Sequence, residues 1–110
     1  MTGHEYQILA SRTSRNLTSQ DHLLNGVLGL AGEAGEVADL LKKAYFQGHP
    51  LDFARVAGEL GDIAWYLAEA ATGLGYDLDD ILAANINKLR KRYPDGFEAE
   101  RSMHRASDDV

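Results

Sequence analysis

A chain of 110 residues, 45% hydrophobic and 25% charged, suffices for one domain with a modest core, which association of copies would enlarge. Its formal net charge of −6 argues against general attraction to nucleic acid or to an anionic membrane surface, and no run approaches the ~18 apolar residues of a membrane span. With no cysteine, disulfides and thiolate metal sites are excluded; this fits a cytoplasmic protein, and the N-terminus shows no signal-peptide pattern.

The hydrophobic pattern has helical rather than strand periodicity. A short first helix is expected from about Glu5 to Thr13, followed by a polar loop from Ser14 to Gln20. Asp21 is the expected N-cap of a long second helix that runs towards Gln47 and stops at Gly48-His49-Pro50. A third helix starts near Asp52 and ends around Gly73 or Gly75. Asp77 caps a fourth, with Asp79 and Asp80 in its first turn, and Pro94-Asp95-Gly96 ends it. The core is expected over about 21–97, and the polar tail from Glu98 to Val110 is expected to be loosely ordered.

Apolar stripes accompany these helices. Leu23, Val27, Leu30, Ala34, Val37, Leu41 and Tyr45 recur at spacings of three and four in the second. Phe53, Val56, Leu60, Ala64, Leu67 and Ala71 do so in the third, and Leu82, Ile86, Leu89 and Tyr93 in the fourth. Each stripe needs a partner, so the expected fold is an all-α four-helix bundle. Glycines interrupt the second helix at Gly26, Gly29, Gly32 and Gly35, and the third at Gly58 and Gly61. Each costs roughly 0.5–1 kcal/mol against alanine, a cost commonly associated with a closely approaching helix or ligand.

Glu33 and Glu36 in the second helix, and Glu59 and Asp62 in the third, stand three apart and project from one face of their helix. Brought together, they form a hard-oxygen site suited to Mg²⁺ or Mn²⁺. A single such pair carries little weight, because about two or three are expected by chance among this many acids. Both pairs, however, lie beside glycines and flank the apolar stripes, where uncompensated charge is expensive. Tyr66 lies one turn beyond Asp62, and Lys43 two turns beyond Glu36 on the same face. Asn85, Lys88 and Arg92 form a polar stripe on the fourth helix. That stripe reads equally as a phosphate-binding surface or as a solvated helix end.

The acids follow an E-x-x-E, spacer, E-x-x-D pattern: Glu33-Ala34-Gly35-Glu36, twenty-two residues, then Glu59-Leu60-Gly61-Asp62. Together with GLAGEAGEVADLLKKAYFQG, GELGDIAWYLAEAA and NINKLRKRYPDGF, this resembles the MazG-like nucleotide pyrophosphohydrolases over roughly Leu23 to Phe97. The resemblance implies a four-helix core assembled as a homodimer or homotetramer. It also implies hydrolysis of a nucleoside triphosphate between its α and β phosphates, giving monophosphate and pyrophosphate. Glu33, Glu36, Glu59 and Asp62 would then hold Mg²⁺, Asn85, Lys88 and Arg92 would contact phosphates, and Tyr66 would lie near the nucleotide. The aromatic residues with which members grip the base near the N-terminus have no match here, and Trp65, the only tryptophan, reads equally as a core or interface residue.

Other readings compete. Phosphoribosyl-ATP pyrophosphohydrolase shares the acid pattern, although the RYPDGF ending looks more like MazG. A di-iron carboxylate bundle needs Glu-x-x-His pairs, and none of His4, His22, His49 or His104 follows a glutamate by three. A non-catalytic helical interaction module would leave the acids merely solvated.

Overall fold

The computed structural model describes residues 1–106 and 109. Five helices follow in order: α1 (Gly3–Ser11), α2 (Ser19–Phe46), α3 (Phe53–Leu74), α4 (Leu78–Arg92) and α5 (Ala99–Met103). No strand occurs among the described residues, so the all-helical expectation holds.

Local chemistry sets the helix ends. Thr2 caps α1 by accepting from the Glu5 amide, so this helix begins and ends two residues earlier than its apolar pattern suggests. Thr18, rather than Asp21, caps α2; its hydroxyl accepts from the Asp21 amide, leaving Asp21 in the first turn where the dipole favours an acid. Asp52 caps α3, and Gly75 ends it with φ 75°, a left-handed conformation that glycine adopts without steric cost. Part of the expected polar tail lies outside the described residues; the rest includes a helical turn. The α5 turn forms there, and Asp109 returns to bind Arg92 on α4.

An antiparallel pair of helices, α2 and α3, carries most of the packing. Leu23 lies opposite Gly73, Gly26 opposite Ala70, and Gly29 opposite the Tyr66 ring. A Cβ on Gly26 would stand 2.5 Å from the Ala70 nitrogen, so the two backbones meet at a distance no larger residue permits. Ala68, Ala70 and Ala71 are buried along this seam. By contrast, a Cβ on Gly32, Gly35, Gly58 or Gly61 would meet nothing within 4 Å. Close packing inside the chain therefore explains Gly26 and Gly29 but not the glycines beside the acids.

Side-chain hydrogen bonds fasten α1 across the other end of α3 and the start of α4. Gln7 donates to Thr72 Oγ1 and the Tyr76 carbonyl and accepts from the buried Leu78 amide. Trp65 Nε1 donates to the Ala10 carbonyl and to Thr13 Oγ1. The single chain does not close the expected stripes. Val27, Leu60, Leu82 and Ile86 are each about half exposed, since one helix pair offers only one seam.

Candidate functional site

Antiparallel pairing of α2 and α3 brings their acidic faces together. Ligand oxygens of Glu33, Glu59 and Asp62 all lie within 4.8 Å of one another. Oε2 of Glu33 and Oε2 of Glu59 are buried and have no hydrogen-bond partner. The proximity of Glu59, then burial, then the charges of Glu36 and Glu59 push the Glu33 pKa up to about 7. A cation is the natural complement to such an arrangement. It would engage both orphaned oxygens and remove the repulsion that makes Glu33 hold its proton, so the donor set fits a hard divalent metal.

Two cavities meet at this cluster. One, of about 780 Å³, is lined by Glu36, Asp39, Lys43, Arg55 and Glu59. Glu36 thus stands beside the three clustered acids rather than among them. Lys43 faces this space as its spacing suggested, and its ammonium lies 2.8 Å from Asp39, whose carboxyl is held below its usual range by that hydrogen bond. Asp39 was not singled out in the sequence, although it continues the Glu33, Glu36 spacing by three. The other cavity, of about 320 Å³, is lined by Glu33, Asp62, Trp65 and Tyr66. The Tyr66 ring rests against Gly29 and meets the Trp65 ring edge-on, with centroids 5.1 Å apart. Tyr6 on α1 also senses this side: burial and then the Asp62 charge raise its phenol pKa.

The stripe on α4 is elsewhere. Lys88 and Arg92 line a separate cavity of about 580 Å³ against Arg101, His104 and Arg105, and Asn85 is exposed. Arg92 Nε donates to both oxygens of Asp109, at 2.9 and 2.7 Å. Within one protomer these residues are not brought to the carboxylates.

A further polar group lies along α3 beyond Trp65. Glu69, only 5% exposed, accepts from Ser14 Oγ at 2.7 Å, His22 Nδ1 at 2.8 Å and Asn25 Nδ2 at 3.0 Å. Burial would raise this carboxyl's pKa, but the three hydrogen bonds outweigh it and hold the group ionised, below its ordinary range. Glu69 continues the Glu59, Asp62, Tyr66 spacing along α3, a spacing that gives no hint of partners 44 to 55 residues away.

The helical pair thus holds clustered carboxylates with two orphaned oxygens beside two open cavities, the larger of them also lined by Lys43 and Arg55, a donor set that could hold a metal ion. The MazG nucleotide pyrophosphohydrolase domain matches residues 21–97, and the chain belongs to that family. The Gene 37 protein of Mycobacterium phage L5 is 34% identical to it, over 79% of this chain and 84% of that protein. No solved structure is significantly similar.

Proposed function

We propose that the protein is a Mg²⁺-dependent pyrophosphohydrolase that cleaves a nucleoside or deoxynucleoside triphosphate between its α and β phosphates. The observation that carries this reading is the Glu33, Glu59, Asp62 cluster with its two buried, unpartnered oxygens. A non-catalytic interaction module leaves those oxygens unexplained, because solvated acids have no need to turn an oxygen away from water. The family adds the reaction class.

Glu33, Glu59 and Asp62 hold the metal, with Glu36 on the adjoining cavity wall as the fourth carboxylate. Bound there, Mg²⁺ (or Mn²⁺) supplies charge neutralisation for the triphosphate and a lowered pKa for the attacking water. Lys43 sits at the mouth of the larger cavity, where an ammonium meets the distal phosphates once it releases Asp39. Tyr66, stacked on Gly29, confines the substrate on the opposite side. Asn85, Lys88 and Arg92 bind phosphates in the assembled homodimer or homotetramer, in which α4 of a second copy reaches the carboxylates.

The test is pyrophosphate release from the eight standard triphosphates, with and without Mg²⁺, beside a Glu59→Gln variant checked by circular dichroism. Metal-dependent release that drops on the order of a hundredfold or more in the variant is the expected result. A folded wild type that releases no pyrophosphate from any of them overturns the reading.

A further inference from the structure

We propose that the cavity at the α1–α2 corner, walled by Trp65 and floored by His22, Ser14 and Glu69, receives the base of the nucleotide, with His22 as its reader. This rests on the pyrophosphohydrolase reading and extends it from the phosphates to the base.

Glu69 is the one buried charged side chain among the described residues, and alanines flank it at Ala68, Ala70 and Ala71. Packing alone would be better served there by another apolar residue. What the carboxylate does is hold polar side chains in fixed orientation. His22 donates its Nδ1–H to Glu69, which fixes the ring's orientation and leaves Nε2 to meet a ligand. Nε2 has no hydrogen-bond partner among the described residues, and the ring lines the cavity.

Ser14, His22 and Glu69 are also the residue types of a hydrolytic triad, but the geometry is wrong for one. Ser14 and Glu69 both meet His22 at Nδ1, at 3.4 and 2.8 Å, so no base nitrogen faces the hydroxyl. The constellation binds and does not attack.

Its occupant follows from shape and charge. The cavity holds about 270 Å³, smaller than most drug-sized sites (roughly 300–1,000 Å³) and suited to one planar ring system. Arg15 on its lining is exposed, whereas the ionised Glu69 is buried in its floor, so the interior disfavours phosphate and favours a neutral, hydrogen-bonding ring. Trp65 is pinned by its two hydrogen bonds to the end of α1, giving a rigid aromatic face on which a base stacks. The same ring lines the cavity that holds Glu33 and Asp62, so it is the wall the two spaces share. Asp62 and Glu69 stand seven residues apart on α3, a rise of about 10 Å, the reach of a sugar between its phosphates and its base. His22 Nε2 then accepts an N–H of the base, and Glu69 is the positioning residue behind it.

Trp65 is the only tryptophan and forms the wall between the two cavities, so its emission reports both, and His22→Ala, which touches only this one, tells them apart. The experiment titrates the wild-type protein, without divalent metal, with the eight ribo- and deoxyribonucleoside monophosphates. Saturable quenching by one or two bases is expected, with His22→Ala weakening that binding about tenfold. In triphosphate turnover, His22→Ala and Glu69→Gln raise KM for the preferred base and flatten the kcat/KM ratio between bases. If circular dichroism shows that His22→Ala has lost its helices, His22→Gln replaces it. Base-selective quenching without triphosphate hydrolysis upholds the pocket and removes the pyrophosphohydrolase reading. Hydrolysis without quenching by any monophosphate, or with quenching and KM insensitive to His22, overturns the pocket and leaves the reaction standing.

Discussion

Glu33 holds its proton well above the ordinary carboxylate range, and that sets a pH dependence. Its pKa is about 7 in the fold against an ordinary 4.5. As pH rises between those values the unfolded chain releases this proton while the folded chain retains it, so stability falls across that window and stays lower above it. The metal-free protein should therefore melt at a lower temperature at about pH 8 than at about pH 5, and Glu33→Gln should flatten that difference. Glu69 acts in the opposite sense but in another window: its lowered pKa gives stability that is lost only as pH falls below the ordinary carboxylate range. Because Mg²⁺ competes with the Glu33 proton, it should raise the melting temperature more at pH 8 than at pH 5. Thermal scans with and without Mg²⁺ check all three. The approach of Glu33, Glu59 and Asp62 was legible because i, i+3 spacing on a helix fixes a shared face; that Glu36 stands beside them was not. The Ser14–His22–Asn25–Glu69 group was not, since its contacts arise only when α1, α2 and α3 pack.

At the scale of elements, the glycines separate two kinds of helix contact. Gly26→Ala places a methyl against the Ala70 backbone, which cannot move aside without parting α2 from α3. It should destabilise by about 1–3 kcal/mol in urea unfolding. Gly35→Ala meets nothing within 4 Å in the protomer and should gain roughly 0.5–1 kcal/mol of helix propensity if that face stays open. A loss there instead would show that a ligand or a second copy covers it. Gln7 offers a second test, because its Oε1 satisfies the first amide of α4, at the buried Leu78. Gln7→Ala should cost about 1–3 kcal/mol, whereas the exposed Gln20→Ala should stay within about 0.5 kcal/mol. The order of α1 to α4 was readable from periodicity and punctuation, Asp52 and Gly75 most clearly, whereas the short α5 turn was not. The start of α2 was misread by three residues because Thr18 and Asp21 both satisfy N-cap preferences, and only the geometry shows which side chain turns back.

The whole molecule is too open for its mass. A compact 12.0 kDa protein exposes roughly 6,000 Å² and a 110-residue domain has a radius of gyration of about 13 Å, against 8058 Å² and 16.9 Å here. The surplus of about 2,000 Å² exceeds what a standard interface takes from each partner, and apolar side chains contribute to it: Leu28 is 63% exposed and Leu60 53%. The stripes were expected to be buried against other helices, and the protomer leaves them partly exposed; periodicity does not say whether a partner belongs to the same chain. A second copy is the economical answer, and sedimentation at micromolar concentration should show a dimer or tetramer that Leu28→Arg dissociates. Association also resolves the position of α4, whose Lys88 and Arg92 lie apart from the carboxylates of their own protomer. If a neighbour's α4 serves each cluster, Glu59→Gln and Lys88→Ala proteins are each inactive alone but complement when mixed. Random pairing in a dimer puts half the molecules into mixed pairs with one intact site, so activity should return to about a quarter of wild type. A mixture no more active than its two components would place Lys88 and the cluster it serves on one chain.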